Sequence, residues 1–122
     1  MNWFKRVWWS AVVLALMLAG AIAWSWEPDR QLGQLVARWA PEPSRFIELD
    51  GMQVHIRDTG PRNDAAPLLL LHGMSSSLHS FEGWQSALQG ERRVISVDLP
   101  GFGLTGPSPQ GDYSIEVYTR FV

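Results

Sequence analysis

The sequence predicts an α/β fold: a β-hairpin, then a strand–helix–strand unit, preceded by one long apolar helix. Three observations predict it. Residues 7–26 form a run of twenty without a charge. Asp50-Gly51, a tight-turn dipeptide, separates two runs of partial apolar alternation at 45–50 and 52–58. Two short apolar runs, 68–71 and 93–98, flank a stretch of helical periodicity.

The apolar run comes first. Twenty helical residues at about 1.5 Å each span roughly 30 Å, the thickness of a bilayer's hydrocarbon core. Lys5 and Arg6 precede it and Glu27 and Asp29 follow, so the positive-inside rule places the N-terminus in the cytoplasm. Trp3, Trp8 and Trp9 near one end and Trp24 and Trp26 at the other suit two headgroup-level belts. The leading alternative is a cleaved signal peptide, with Ala21-Ile22-Ala23 as a small-x-small cleavage site, and a buried core helix is the remaining one. The expected organisation is a cytoplasmic N-terminus at 1–6, a transmembrane anchor or signal at 7–26, a juxtamembrane helix and linker at 27–44, and a domain from 45 to 122. The anchor and signal readings both export the domain. It is either membrane-bound, single-pass and extracytoplasmic, or secreted or periplasmic after cleavage.

Composition narrows the partners. The formal net charge is −2, and from Glu27 onward eight Lys/Arg stand against twelve Asp/Glu. Such an acidic domain has no electrostatic footprint for nucleic acid. Cysteine is absent, which excludes disulfides, thiolate metal sites and a cysteine nucleophile. The ninety-odd residues after the apolar run are short for an α/β sheet covered on both faces, which commonly takes about 200–250 residues. The chain is therefore expected to end inside a domain.

The remaining elements follow in order. Leu32, Leu35, Val36 and Trp39 fall on one helical face, with Asp29 as candidate N-cap and Pro41 and Pro43 ending the pattern. This helix lies on the bilayer or, on the simpler reading, packs on the domain. After the hairpin, Gly60, Pro61 and Pro67 break a polar loop. The run 68–71 reads as a strand covered on both faces. Phe81, Trp84 and Leu88 give a helical face within 77–90, with Ser80 as candidate N-cap and Gly90 at the C′ position. The strand 93–98 then implies a parallel crossover. Residues 101–112 are a glycine- and proline-containing loop, and 113–122 begin another helix. His55 and His79 read as surface or loop residues.

The chemistry sits in Leu70-Leu71-His72-Gly73-Met74, a strand opening into a small-residue loop, and in Asp98-Leu99-Pro100-Gly101-Phe102-Gly103 one helix and one strand later. Together, at this spacing, they resemble the front end of an α/β-hydrolase domain over about residues 45–122. The Asp-x-x-Gly-x-Gly stretch is shared by the esterase, epoxide hydrolase, haloalkane dehalogenase and C–C bond hydrolase branches. Acyl transfer builds negative charge on the carbonyl oxygen, which needs preorganised N–H donors. The resemblance implies that Met74 donates its backbone N–H to this oxyanion hole and that Gly73 permits the turn. It also implies that His72, Asp98, Gly101 and Gly103 organise the loops. The Met74 side chain would line the acyl pocket; dehalogenases often place a polar, halide-binding residue there, which leans toward ester-like substrates.

Three competing readings fail on order or context. Asp98 as a triad acid and His72 as a triad base both conflict with the family order, in which acid and histidine follow the nucleophile. Gly101-Phe102-Gly103-Leu104-Thr105-Gly106 matches G-x-G-x-x-G, but Pro107-Ser108-Pro109 follows where a dinucleotide fingerprint needs a helix. No G-x-S-x-G nucleophile turn and no clustered metal motif occur, so no cofactor and no metal are expected. The resemblance thus implies hydrolysis of a small-molecule, ester-like substrate by a nucleophile, serine or aspartate, beyond this chain. The alternative is a catalytically inactive, membrane-tethered remnant or interaction module. In the family sheet the 68–71 strand lies between the 93–98 strand and the later nucleophile strand, so an exposed apolar edge and poor solubility are expected.

Overall fold

A computed structural model of the chain describes residues 2–28 and 30–122. It divides into two compact units, Met1–Arg30 and Gln31–Val122. The first is the helix α1 (Trp3–Ser25), with none of its residues buried. At about 1.5 Å per residue its 23 residues exceed 30 Å. Its length and apolar composition suit a membrane span or a signal peptide, and it is the one such helix among the described residues.

The second unit begins with α2 (Leu32–Trp39). The expected cap, Asp29, lies outside the described residues; the N-cap position is Gln31, which makes no side-chain cap bond. Leu35 and Trp39 line a cavity of about 300 Å³ with His79 and Leu104, and the Trp39 ring meets His79 edge-on at 5.7 Å. α2 thus meets the domain through Leu35 and Trp39, part of the face its periodicity predicted, while Leu32 stays 59% exposed.

The hairpin forms as predicted: β1 (Ser44–Leu49) pairs antiparallel with β2 (Met52–Thr59). Asp50 and Gly51 take φ of 50° and 77°, the left-handed pair that a twisted two-residue turn requires. β3 (Leu68–Leu71) and β4 (Val94–Val97) are parallel, and β4 also pairs antiparallel with β2. The sheet order is β1-β2-β4-β3.

Strand alternation gives the sheet two unlike faces. One carries Met52, Val54, Ile56 and Val97, packed with Leu49 and with Phe121 of the last helix, α4 (Ile115–Phe121). The other carries His55, Arg57 and Ser96, all buried. It is covered by a 3₁₀ turn (Leu78–Phe81) running into α3 (Glu82–Leu88).

Three expectations are corrected here. The α3 face is not centred on Trp84, which is 63% exposed; Gln85 is buried instead. Its amide accepts from Ser96 Oγ at 3.1 Å and donates to the Arg57 carbonyl at 3.3 Å, which turns Trp84 to solvent. Nor does Ser80 cap α3: its hydroxyl pairs with Ser76, and Phe81 occupies the N-cap. β3 is not covered on both faces. Leu69 and Leu71 remain 45% and 42% exposed, because β3 is the edge strand and little of the described chain lies over that side.

Candidate active site

β3 and β4 run parallel, so both release their following loops at the same end of the sheet. Leu71 passes into His72, Gly73 and Met74; Val97 passes into Asp98 and Leu99. His72 ties the two loops together. Its Nε2 accepts the Leu99 N–H at 3.1 Å, and its Nδ1–H donates to the Gly73 carbonyl at 2.8 Å. An imidazole that accepts a backbone N–H at one nitrogen must carry its proton on the other, which makes His72 the neutral Nδ1–H form. Both nitrogens are thereby engaged, and the ring is further held edge-on to Phe102 at 5.5 Å. This leaves His72 no free nitrogen for base work.

Asp98 is fully buried and joins three segments. Its Oδ1 accepts the Leu78 N–H at 2.8 Å, at the far end of the 72–77 loop. Its Oδ2 accepts the Leu104 N–H at 2.8 Å and meets His55 Nδ1 at 2.7 Å. Burial by itself would raise this carboxyl; the bond to His55 and the two backbone donors outweigh it and hold the group below the usual carboxylate range. Gly103 explains the glycine at its position: φ is 54°, and a Cβ there would stand 2.1 Å from Asp98 Oδ2. Gly101 is similar, with φ of 79° and a Cβ position 2.8 Å from the Tyr113 ring.

Gly73 is different. Its φ is not positive, and a Cβ there would meet nothing within 4 Å. The sharp bend attributed to Gly73 falls instead at Ser75, which takes φ of 58°. A serine in the left-handed region is uncommon, and such strained backbone gathers at functional loops. No sequence signal marks Ser75, since serine has little preference for that conformation.

Sequence reasoning also missed His55, assigned to the surface but wholly inaccessible to solvent in the middle of β2. It stacks on Phe46 at 5.1 Å, its own N–H donates to Thr105 Oγ1 at 3.0 Å, and Thr105 Oγ1 donates to the Asp98 carbonyl at 2.7 Å. The Asp98–His55 pair has the bonding of a catalytic carboxylate–imidazole couple, but no substrate reaches it. Its Nε2 is sealed in the interior without a partner among the described residues. His79 is half-buried on the 3₁₀ turn, with Nδ1 2.9 Å from Glu82. The signal that places His55 inside is its neighbourhood, Val54 and Ile56 on a central strand, which a hairpin reading does not distinguish from an edge.

Met74 stands at the loop tip with 88% of its surface exposed. Beside it opens a cleft of about 410 Å³, lined by Met74, Leu99, Pro100, Phe102, Tyr113 and Tyr118, with no charged side chain in its walls. Tyr118 donates its hydroxyl to the Pro100 carbonyl at 3.0 Å, fixing α4 against the cleft floor. A larger hollow of about 700 Å³ lies past Pro100, between the hairpin turn and α4, away from Met74. Among the described residues no group of three or more His, Asp or Glu is arranged to hold a metal ion.

Known proteins resemble this chain in sequence and fold. Residues 66–122 match the α/β hydrolase fold family. A haloalkane dehalogenase of Psychrobacter cryohalolentis is 38% identical over 73 residues, 58% of this chain and 24% of that protein. The 2-hydroxy-6-oxo-2,4-heptadienoate hydrolase of Pseudomonas putida is 32% identical over 79 residues, 62% of this chain and 27% of that one. Among solved structures, the Cif epoxide hydrolase from Acinetobacter nosocomialis aligns with a TM-score of 0.61 at 24% identity, covering 79% of this chain and 35% of that one, a likeness of fold. The chain spans about a quarter of the length of these curated relatives. The matched residues run from just before β3 through the helix that follows the glycine loop, and over that segment the chain is similar to the α/β hydrolase fold family.

Proposed function

We propose that this chain forms the oxyanion-loop portion of a membrane-anchored hydrolase acting on a small, ester-like molecule. Its nucleophile, acid and base lie in sequence other than these 122 residues. One observation supports the reading above all: Met74 sits beside an uncharged cleft, on a loop tied at its start by His72 to Leu99 and at its end by Leu78 to Asp98.

In this proposal the Met74 N–H donates to the carbonyl oxygen as it becomes an oxyanion. Gly73 keeps the space beside it open. His72, Asp98, Gly101 and Gly103 do not touch substrate; they hold the loop in place, so that the donor needs no rearrangement during reaction. The apolar walls suit the uncharged body of an ester, and Met74 offers no polar side chain to a halide. The relatives' names cover a haloalkane and a 2-hydroxy-6-oxo-dienoate, which supports hydrolysis of a small molecule as the common ground.

The test uses the native protein that contains this sequence. Met74→Pro removes the N–H and should lower ester hydrolysis by about 10²–10³, while Met74→Ala keeps the N–H and should retain the rate within a few-fold. Equal rates in the two variants would remove Met74 from the oxyanion hole. No turnover in the wild-type protein would leave an inert, membrane-tethered module.

The proposed arrangement is a cytoplasmic 1–6, an anchor at 7–26, a juxtamembrane segment at 27–44 and an extracytoplasmic domain from 45. Mass measurement of the mature protein decides it: a start at Trp24 would mean a cleaved signal and a released domain.

A further inference from the structure

The end of the sheet opposite the cleft gathers arginines. Arg45 comes from β1, Arg62 follows β2, and Arg92 and Arg93 precede β4. Asp58, its side chain only 5% exposed, meets three of them. Arg93 takes both carboxylate oxygens, Nε to Oδ1 at 3.0 Å and Nη2 to Oδ2 at 2.9 Å. Arg45 Nη2 donates to the same Oδ2 at 2.7 Å, and Arg62 Nη1 reaches it as well. Three guanidinium groups thus converge on one oxygen atom.

The charge does not balance. Arg92 pairs with Asp64 at 2.9 Å, so four cations face two carboxylates. Glu91 beside Arg92 and Glu42 ahead of Arg45 in sequence are both exposed, and neither pairs with any of these arginines. This happens in a unit that is acidic as a whole, with seven arginines against ten Asp and Glu from residue 31 onward. Asp58 is held at about 2 by the Arg93 bond, with Arg62 adding to it against burial, so it is fully ionised at neutral pH and offers no further charge. Each guanidinium has five N–H donors. Arg45 spends one on Asp58 and Arg62 two on its carboxylate and carbonyl, while their side chains remain 48% and 58% exposed. A buried carboxylate holds the cations close together, and their remaining donors have no protein acceptor among the described residues.

We propose that Arg45 and Arg62, gathered beside Arg93 on Asp58, form a binding site for a phosphoryl anion. A phosphoryl group presents several acceptor oxygens around one centre and can take bidentate pairs of donors from two guanidiniums at once, a fork geometry that single-atom chloride does not match. The same chemistry is supplied by free phosphate and by the headgroup of an anionic phospholipid. The site is independent of the hydrolase reading, because it lies at the other end of the strands and shares no residue with the cleft.

The test follows the arginine Nε–H resonances of the full chain in nanodiscs of zwitterionic phosphatidylcholine. In one arm inorganic phosphate is added at constant ionic strength with chloride. In the other, part of the phosphatidylcholine is replaced by phosphatidylglycerol. Saturable shifts at Arg45 and Arg62 in the first arm identify free phosphate; shifts in the second identify the lipid headgroup. Arg45→Gln/Arg62→Gln retains the Asp58–Arg93 pair and should weaken the response at Arg93 at least about tenfold, the loss expected for charge-assisted bonds. The milder Arg62→Gln alone, at the more exposed position, should weaken it in the same direction. No saturable shift in either arm, a shift of equal size with chloride alone, or an unchanged response in both variants would overturn the site.

Discussion

His55 and Asp98, 43 residues apart in the chain, meet at 2.7 Å with neither side chain touching solvent. The bond joins β2 to the turn after β4, and through Asp98 to the far end of the 72–77 loop. Removing one member of a buried pair leaves the other without compensation. His55→Leu should therefore destabilise the domain by about 3 kcal/mol, read by urea unfolding of the chain in detergent micelles. Amide exchange at Leu78 and Leu104 should quicken more than in the β1–β2 hairpin. Equal changes everywhere would mean that His55 is only a packing residue.

Gly103 and Gly106 make a matched pair of controls. At Gly103 a methyl group would collide with the Asp98 carboxylate and sit on left-handed backbone. Gly103→Ala should cost more than about 3 kcal/mol. At Gly106 a methyl group would meet nothing within 4 Å, and Gly106→Ala should stay within about 0.5 kcal/mol of wild type. Thermal unfolding of the two variants side by side reads the difference.

Acid should loosen the arginine end of the sheet. Asp58 titrates at about 2 in the folded protein against an ordinary 3.8. A carboxyl depressed by folding contributes stability above its unfolded value and loses it as pH falls through its folded one. About 2 kcal/mol should vanish between roughly pH 4 and pH 2. In Asp58→Asn that part of the acid dependence should disappear, although the variant is less stable at neutral pH. A wild-type and variant comparison of unfolding free energy against pH would show whether it does.

Ile47, Leu69 and Leu71 leave an apolar strip on the open face of the sheet, each at least 40% exposed. Such patches associate. Leu69→Lys/Leu71→Lys should reduce the self-association of the chain in micelles, measured by sedimentation against the same chain with its apolar strip intact. Identical sedimentation would place the contact elsewhere, α1 included.

What the sequence made legible was local. Asp50-Gly51 encodes its turn in two adjacent residues, and the runs around α3 encode a strand–helix–strand unit by their own periodicity. The features it hid depend on partners far along the chain. Trp84 has the right spacing for a buried face, yet Gln85 is drawn inward by Ser96 and the Arg57 carbonyl. His55 reads as a polar residue in a hairpin until β4 pairs on the other side of β2 and makes that strand central. Leu71 reads as doubly buried because its composition is that of an interior strand, whereas its sheet position is an edge. The candidate site residues His72, Asp98, Gly101 and Gly103 are picked out by resemblance. The bonds that account for them, such as Leu99 N–H to His72, cross 27 residues and have no signature in spacing alone.

The exposure of Met74 has a consequence for diversification. In the proposed role only its main-chain N–H does chemistry, while its side chain is 88% exposed and projects beside the cleft. The position can therefore be randomised without putting the scaffold at risk. On that proposal a library at residue 74 would explore substrate preference while His72 and Asp98 keep their own bonds to Leu99 and Leu78.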